Sequence, residues 1–118
     1  MDQTCFVLPI VSGKTDQARS FIQEMGNARR TEFDLAQQRC SISFEVWYLA
    51  SLPTGDCLIV FQESADIARA FGIIAQSDDE FDRWFKQGLI EVAGVDLDNL
   101  PEMQFPELLL SYSTQTER

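Results

Sequence analysis

The sequence contains no histidine. That absence excludes histidine-dependent triads, histidine-ligated haem, histidine-containing zinc sites and imidazole acid/base catalysis. Any chemistry must rest on carboxylates, Arg, Lys, Tyr or Cys. The three cysteines, Cys5, Cys40 and Cys57, are odd in number and form no CxxC pair. They read as free thiols of a reducing, cytoplasmic setting, inert in the core, with no disulfide framework. No cofactor is expected. Without histidine or clustered cysteine, only oxygen ligands remain for a metal, and no metal site is assigned. Residues Asp96, Asp98, Asn99 and Glu102 lack the glycine and terminal glutamate of a calcium loop.

Positive charge is scarce. Nine basic residues face 19 acidic ones, for a net charge of -10. A surface this negative repels phosphate backbones and anionic headgroups, so neither nucleic acid nor a membrane is an expected partner. The only adjacent basic pair is Arg29–Arg30. No run reaches the roughly 18 apolar residues that suggest a transmembrane helix. The stretch from Met1 to Val11 lacks the basic region and cleavage site of a signal peptide, and reads as a strand.

The rest has a globular composition. Hydrophobic residues make up 45% of 118, with nine Phe, two Tyr and two Trp. That supports one domain, 1–118, with a real core. Cys5–Val11 reads as a strand. A helix follows, capped by Ser12 or Thr15, with Ala18, Phe21, Ile22 and Met25 on one stripe. The pattern runs on through Ala28, Phe33 and Ala36, with a kink or break expected at Gly26.

Ile42–Ala50 alternates, with Ile42, Phe44, Val46 and Tyr48 expected toward the helices and Ser43, Glu45, Trp47 and Leu49 away from them. Leu52–Asp56 is turn chemistry, and Cys57–Gln62 is the return strand of a hairpin. A helix capped by Ser64 carries Ile67, Ala70, Phe71 and Ile74. The Ser77…Glu80 spacing forms a capping box for another, with Phe81, Trp84, Phe85, Leu89 and Val92 on one stripe and Gly94 at its end. Residues 95–106 read as a loop, and Glu107–Tyr112 as a last strand.

This order predicts an α+β fold: a ferredoxin-like βαββαβ unit with an extra helix before the last strand, its antiparallel sheet bearing helices on one face. The strands are apolar on both faces. Phe6, Leu8 and Ile10 oppose Cys5, Val7 and Pro9; Leu58 and Val60 oppose Cys57, Ile59 and Phe61. Something must cover the second face, and the simplest cover is the same sheet of a second copy, giving a homodimer.

The segments Phe6–Ile10 with Gly13-Lys14, Arg29–Glu32, Ile42–Trp47, Gly55–Val60 and Ser77–Phe85 resemble the dimeric α/β-barrel superfamily. They are most similar to an uncharacterised bacterial family of about 100 residues within it. The resemblance implies two sheets packed face to face across a dimer, and a ligand pocket between a sheet and its helices or partner. It names no activity, because members that use histidine are not matched here.

Ser12-Gly13-Lys14-Thr15 has the end of a phosphate loop, but Leu8 stands where its first glycine belongs, and a strand-to-helix turn explains it as well. Glu45 is the candidate acid or base, an isolated carboxylate among apolar neighbours; ion pairing or a solvated rim position are the competing readings. Trp47, Tyr48 and Trp84 would line a ligand pocket, and Arg30 would orient an anionic group; solvated or core roles are the alternatives. Two functions follow. One is a small-molecule-binding protein, which as an enzyme would be cofactor-free and use a carboxylate. The other is a non-catalytic dimeric structural or interaction module.

Overall fold

A computed structural model describes residues 1–98 and 105–114. The order of elements is β1 (Asp2–Pro9), α1 (Thr15–Gly26), α2 (Arg30–Arg39), β2 (Ile42–Leu52), β3 (Gly55–Ser64), α3 (Ile67–Gln76) and α4 (Glu80–Ala93). The three strands form one antiparallel sheet in the order β1-β3-β2. The fold is therefore α+β. No described helix is long and apolar enough to cross a membrane.

The helical stripe after β1 splits where Gly26 weakens it. Arg29 N–H donates back to Glu24 O at 2.9 Å and a new helix starts at Arg30. The cap of α1 differs from expectation. No side chain caps it; the Thr15 hydroxyl instead donates to Asp56 at 2.7 Å. That bond holds the Asp56 carboxyl below its ordinary range. The Ser12–Thr15 segment is a turn, with Gly13 at φ 82 and Lys14 N–H donating to Val11 O. The β2–β3 hairpin closes through Pro53 and Thr54, with Gly55 at φ 132, where other residues are strained.

Two other caps move. Asp66, not Ser64, caps α3 by accepting from Arg69 N–H at 3.0 Å. Ser64 is fully buried; its hydroxyl donates to Cys40 O and accepts from Asp66 N–H. Asp79 caps α4, and Ser77 accepts from Asp79 N–H one step earlier. Gly94 ends α4 in the left-handed region, as its position predicts.

Strand β2 is inverted relative to the sequence reading. Glu45, Trp47 and Leu49 face the helices; Phe44 and Tyr48 lie exposed on the other face. A register shift between Ile42 and Phe44 produces this arrangement. Ser43 is the extra residue of a bulge, and its hydroxyl reaches Glu63 O at 3.3 Å. Because a bulge switches parity, Ile42 and Glu45 share the helix face.

The last strand is also corrected. Residues 107–112 form no strand; Leu108, Leu109, Leu110 and Tyr112 are exposed. Among the described residues β1 pairs only with β3. A leucine run suits several conformations, and strand formation needs a partner edge. Cys5, expected in the core, is exposed on the outer face, whereas Cys40 and Cys57 are buried.

The core lies between the sheet and the helices. Ala18, Phe21, Leu58, Leu89 and Val92 form one cluster, and Met25, Ala36 and Phe81 another. Gly88 of α4 sits directly on the Phe21 ring, leaving no room for a Cβ. Among the described residues no helix covers the outer face, which carries Val7, Phe44, Val46, Tyr48, Ile59 and Phe61.

Candidate functional site

A partly open cavity of about 340 Å³ lies between the sheet and α2, α3 and α4. That volume is within the range of small-molecule sites. Its floor is the inner face of the sheet: Phe6 and Leu8 of β1, Glu45 and Trp47 of β2, Val60 and Gln62 of β3. Phe33 and Ala36 of α2, Phe71 of α3, and Phe81, Asp82 and Phe85 of α4 form much of its roof. Phe105 contacts the rings of Phe6 and Phe71, with centroids 6.0 and 5.9 Å away, at the β1 side.

Glu45 is the polar centre of the floor. Trp47 Nε1 donates to one carboxylate oxygen at 2.8 Å, and Gln62 Nε2 donates to the other at 2.6 Å. Both contacts suit an ionised carboxylate, which only accepts. The i, i+2 spacing of Glu45 and Trp47 places them on one face of β2, and the β2–β3 register places Gln62 opposite Glu45. Thr4 continues that row on β1; its hydroxyl is buried with no hydrogen-bond partner among the described residues.

The second carboxylate, Asp82, is 4% exposed and bound by Arg39 at 2.9 Å. Burial pulls the Arg39 guanidinium down, but Asp82 outweighs it and holds the group above its ordinary value. Cys40 also lines the cavity. Burial, aided by the Asp82 charge, pushes its thiol up, and the thiol donates to Ala70 O. It is therefore a protonated thiol at neutral pH, not a thiolate nucleophile.

Of the residues named from sequence, Glu45 and Trp47 come together. The other three lie elsewhere. Tyr48 is 63% exposed on the outer face. Arg30 pairs with Asp34 at 2.8 Å on the surface of α2. Trp84 points toward α1, its ring tilted against Phe21 and Phe81 and covered by the Arg29 guanidinium, which lies 4.5 Å from its centroid. Arg29 also bonds Glu24, Glu32 and Glu80; the Glu80 bond is the main cause of its raised pKa. It is a clasp joining α1, α2 and α4, remote from the cavity floor.

Gln62 and Asp82 were missed. The signal for Gln62 is a polar residue continuing the Leu58, Val60 parity of the central strand. Asp82 carried none, because an acid in the first turn of a helix is ordinary. Of the calcium-loop candidates, Asp98 is bound by Lys86 at 3.0 Å, and Asp96 accepts from Asp98 N–H. Asn99 and Glu102 lie outside the described residues. No cluster of three metal-ligating side chains occurs among the described residues. No protein-family model, curated protein or solved structure matches this chain.

Proposed function

We propose that this chain is a small-molecule-binding protein whose ligand occupies the cavity between sheet and helices, anchored on Glu45. The observation that carries the reading is a carboxylate held in place by two neutral donors in the floor of a cavity of about 340 Å³. A void lined by this much aromatic surface forfeits packing energy unless something fills it. In an enzymatic version Glu45 is a general base for a bound substrate and no cofactor takes part. A thermal-shift screen against a metabolite library tests the reading. A site binder at 100 times its Kd adds about 2.7 kcal/mol. The shift should vanish in Ala36→Leu, which fills part of the cavity; a shift that survives unchanged there would overturn it.

A second reading, a dimeric interaction module, is favoured by the outer sheet face. Val7, Phe44 and Tyr48 are exposed together there, and such a patch marks an association surface. In this reading two sheets pack face to face in a homodimer. Pairing of residues 107–112 with the free edge of β1 would then complete the ferredoxin-like βαββαβ topology. The two readings are compatible, because cavity and outer face lie on opposite sides of the sheet. Light scattering at micromolar concentration decides the second: a mass twice 13.4 kDa is expected, and Tyr48→Lys should halve it. A monomeric wild type sinks the dimer and leaves the cavity reading intact.

A further inference from the structure

The cavity is charged in one sense only. Among the described residues its lining holds two carboxylates, Glu45 and Asp82, and neither Lys nor Arg. The stretch 99–104, outside the described residues, contains no basic residue in its sequence. Asp82 is already neutralised by Arg39. Glu45 is oriented but not neutralised: Trp47 and Gln62 are uncharged donors, and among the described residues it makes no ion pair. Each of its oxygens keeps a lone pair free for a ligand donor.

Arg29 and Arg30, the adjacent basic pair, are committed elsewhere. Arg30 pairs with Asp34 and Arg29 with Glu24, Glu32 and Glu80. An anionic ligand would face the Glu45 charge with no Lys or Arg in the described lining to compensate it, in a low-polarity site where the repulsion is poorly screened. A cation meets the opposite situation. Its bond to Glu45 is charge-assisted, roughly twice as strong as a neutral one. The faces of Trp47, Phe71 and Phe85 stabilise positive charge and accommodate an apolar body. The net charge of -10 also concentrates cations around the molecule.

We infer that the ligand class is an apolar amine, with its ammonium on the Glu45 carboxylate and its hydrocarbon or aromatic body against the cavity walls. This rests on the cavity reading above and assigns the chemistry of its ligand.

The test is calorimetric titration at low salt with three probes sharing one ring system: tryptamine, tryptophol and indole-3-acetate. The amine should bind at least about tenfold more tightly than the alcohol, the advantage expected of an ion pair over a hydrogen bond from a neutral donor to the same carboxylate. The acid should not bind. In Glu45→Gln the amine should lose its advantage while the alcohol keeps its affinity. An alcohol or acid binding as tightly as the amine overturns the inference. So does an amine advantage that survives Glu45→Gln. The neutral fluorophore N-phenyl-1-naphthylamine separates the two levels. If it binds wild type, is lost in Ala36→Leu and is not displaced by tryptamine, the cavity stands and the amine assignment falls. If neither it nor any indole probe binds, both fall.

Discussion

Helix α4 has two sides that differ in kind. Toward α1 it makes close ring contacts, with Gly88 on the Phe21 ring and Trp84 tilted against Phe21 and Phe81 beneath the Arg29 guanidinium, beside an open groove lined by Phe21, Trp84 and Gly88. Toward the sheet the same helix presents Phe81, Asp82, Phe85 and Leu89 to a cavity. On one side the groove is shallow and rimmed by polar residues, Gln17, Glu24, Gln87 and Glu91; on the other the space is apolar and lies under the sheet. An aromatic at helical spacing does not declare its side. Trp84 and Phe85 are adjacent, yet Phe85 lines the cavity and Trp84 does not.

The comparison is broken most severely at Gly88. Gly88→Ala forces a Cβ into the Phe21 ring, and overpacking of this kind costs about 1–3 kcal/mol. Helix propensity offsets up to about 1 kcal/mol, so a lowered midpoint in chemical denaturation is the expected net result. An unchanged midpoint would show that the α1–α4 contact yields.

The next effect is at the clasp. Arg29→Met removes a cation–π contact and three ion pairs while keeping an apolar stem. The pairs are partly exposed, so a loss of about 1–2 kcal/mol is expected. Melting of the wild type should show a salt dependence that the variant lacks.

On the open side the sign reverses. Ala36→Leu adds volume where space exists and should stabilise the unliganded protein by about 0.5–1 kcal/mol, while abolishing ligand-induced shifts. Destabilisation there would mean that the cavity walls are as tight as the Gly88 contact.

The smallest effect is a pH dependence of the cavity wall. The Cys40 thiol is raised in the folded state by burial. The unfolded chain therefore loses this proton first as pH rises. Stability is full below the ordinary thiol pKa, near 8.5, and declines as pH climbs from there through the folded value. Cys40→Ala should flatten that alkaline decline relative to wild type. An identical slope in both proteins would assign it to other groups.

Local signals were legible where one residue type has one physical use. Gly26 marked the break between α1 and α2, Gly94 the end of α4, and Pro53 to Gly55 the hairpin turn. The helix stripes and the apolar strands placed the three strands, α3 and α4, and showed α1 and α2 as one broken stripe. Trp47 beside Glu45 followed from alternation, because residues two apart on a strand share a face whichever face that is.

Which face it was lay beyond the sequence. The set Ile42, Phe44, Val46 and Tyr48 is apolar or aromatic throughout, whereas Ser43 and Glu45 make the other set half polar, so hydrophobicity pointed to the wrong face. The bulge at Ser43, set by the pairing with β3, decided it. That turned Glu45 inward to the cavity and Tyr48 outward. Arg30 follows its local alternative, pairing with Asp34 one helix turn on, whereas the side Trp84 takes is set by Phe21 of another helix. The sequence by itself determined the three paired strands and the helical stripes, though not the fate of residues 107–112, together with the scarcity of positive charge and the absence of imidazole chemistry, because these are properties of short segments or of composition. Only the tertiary structure decided the side on which Glu45 lies and the cavity in front of it, because a cavity is a property of what neighbouring elements fail to fill.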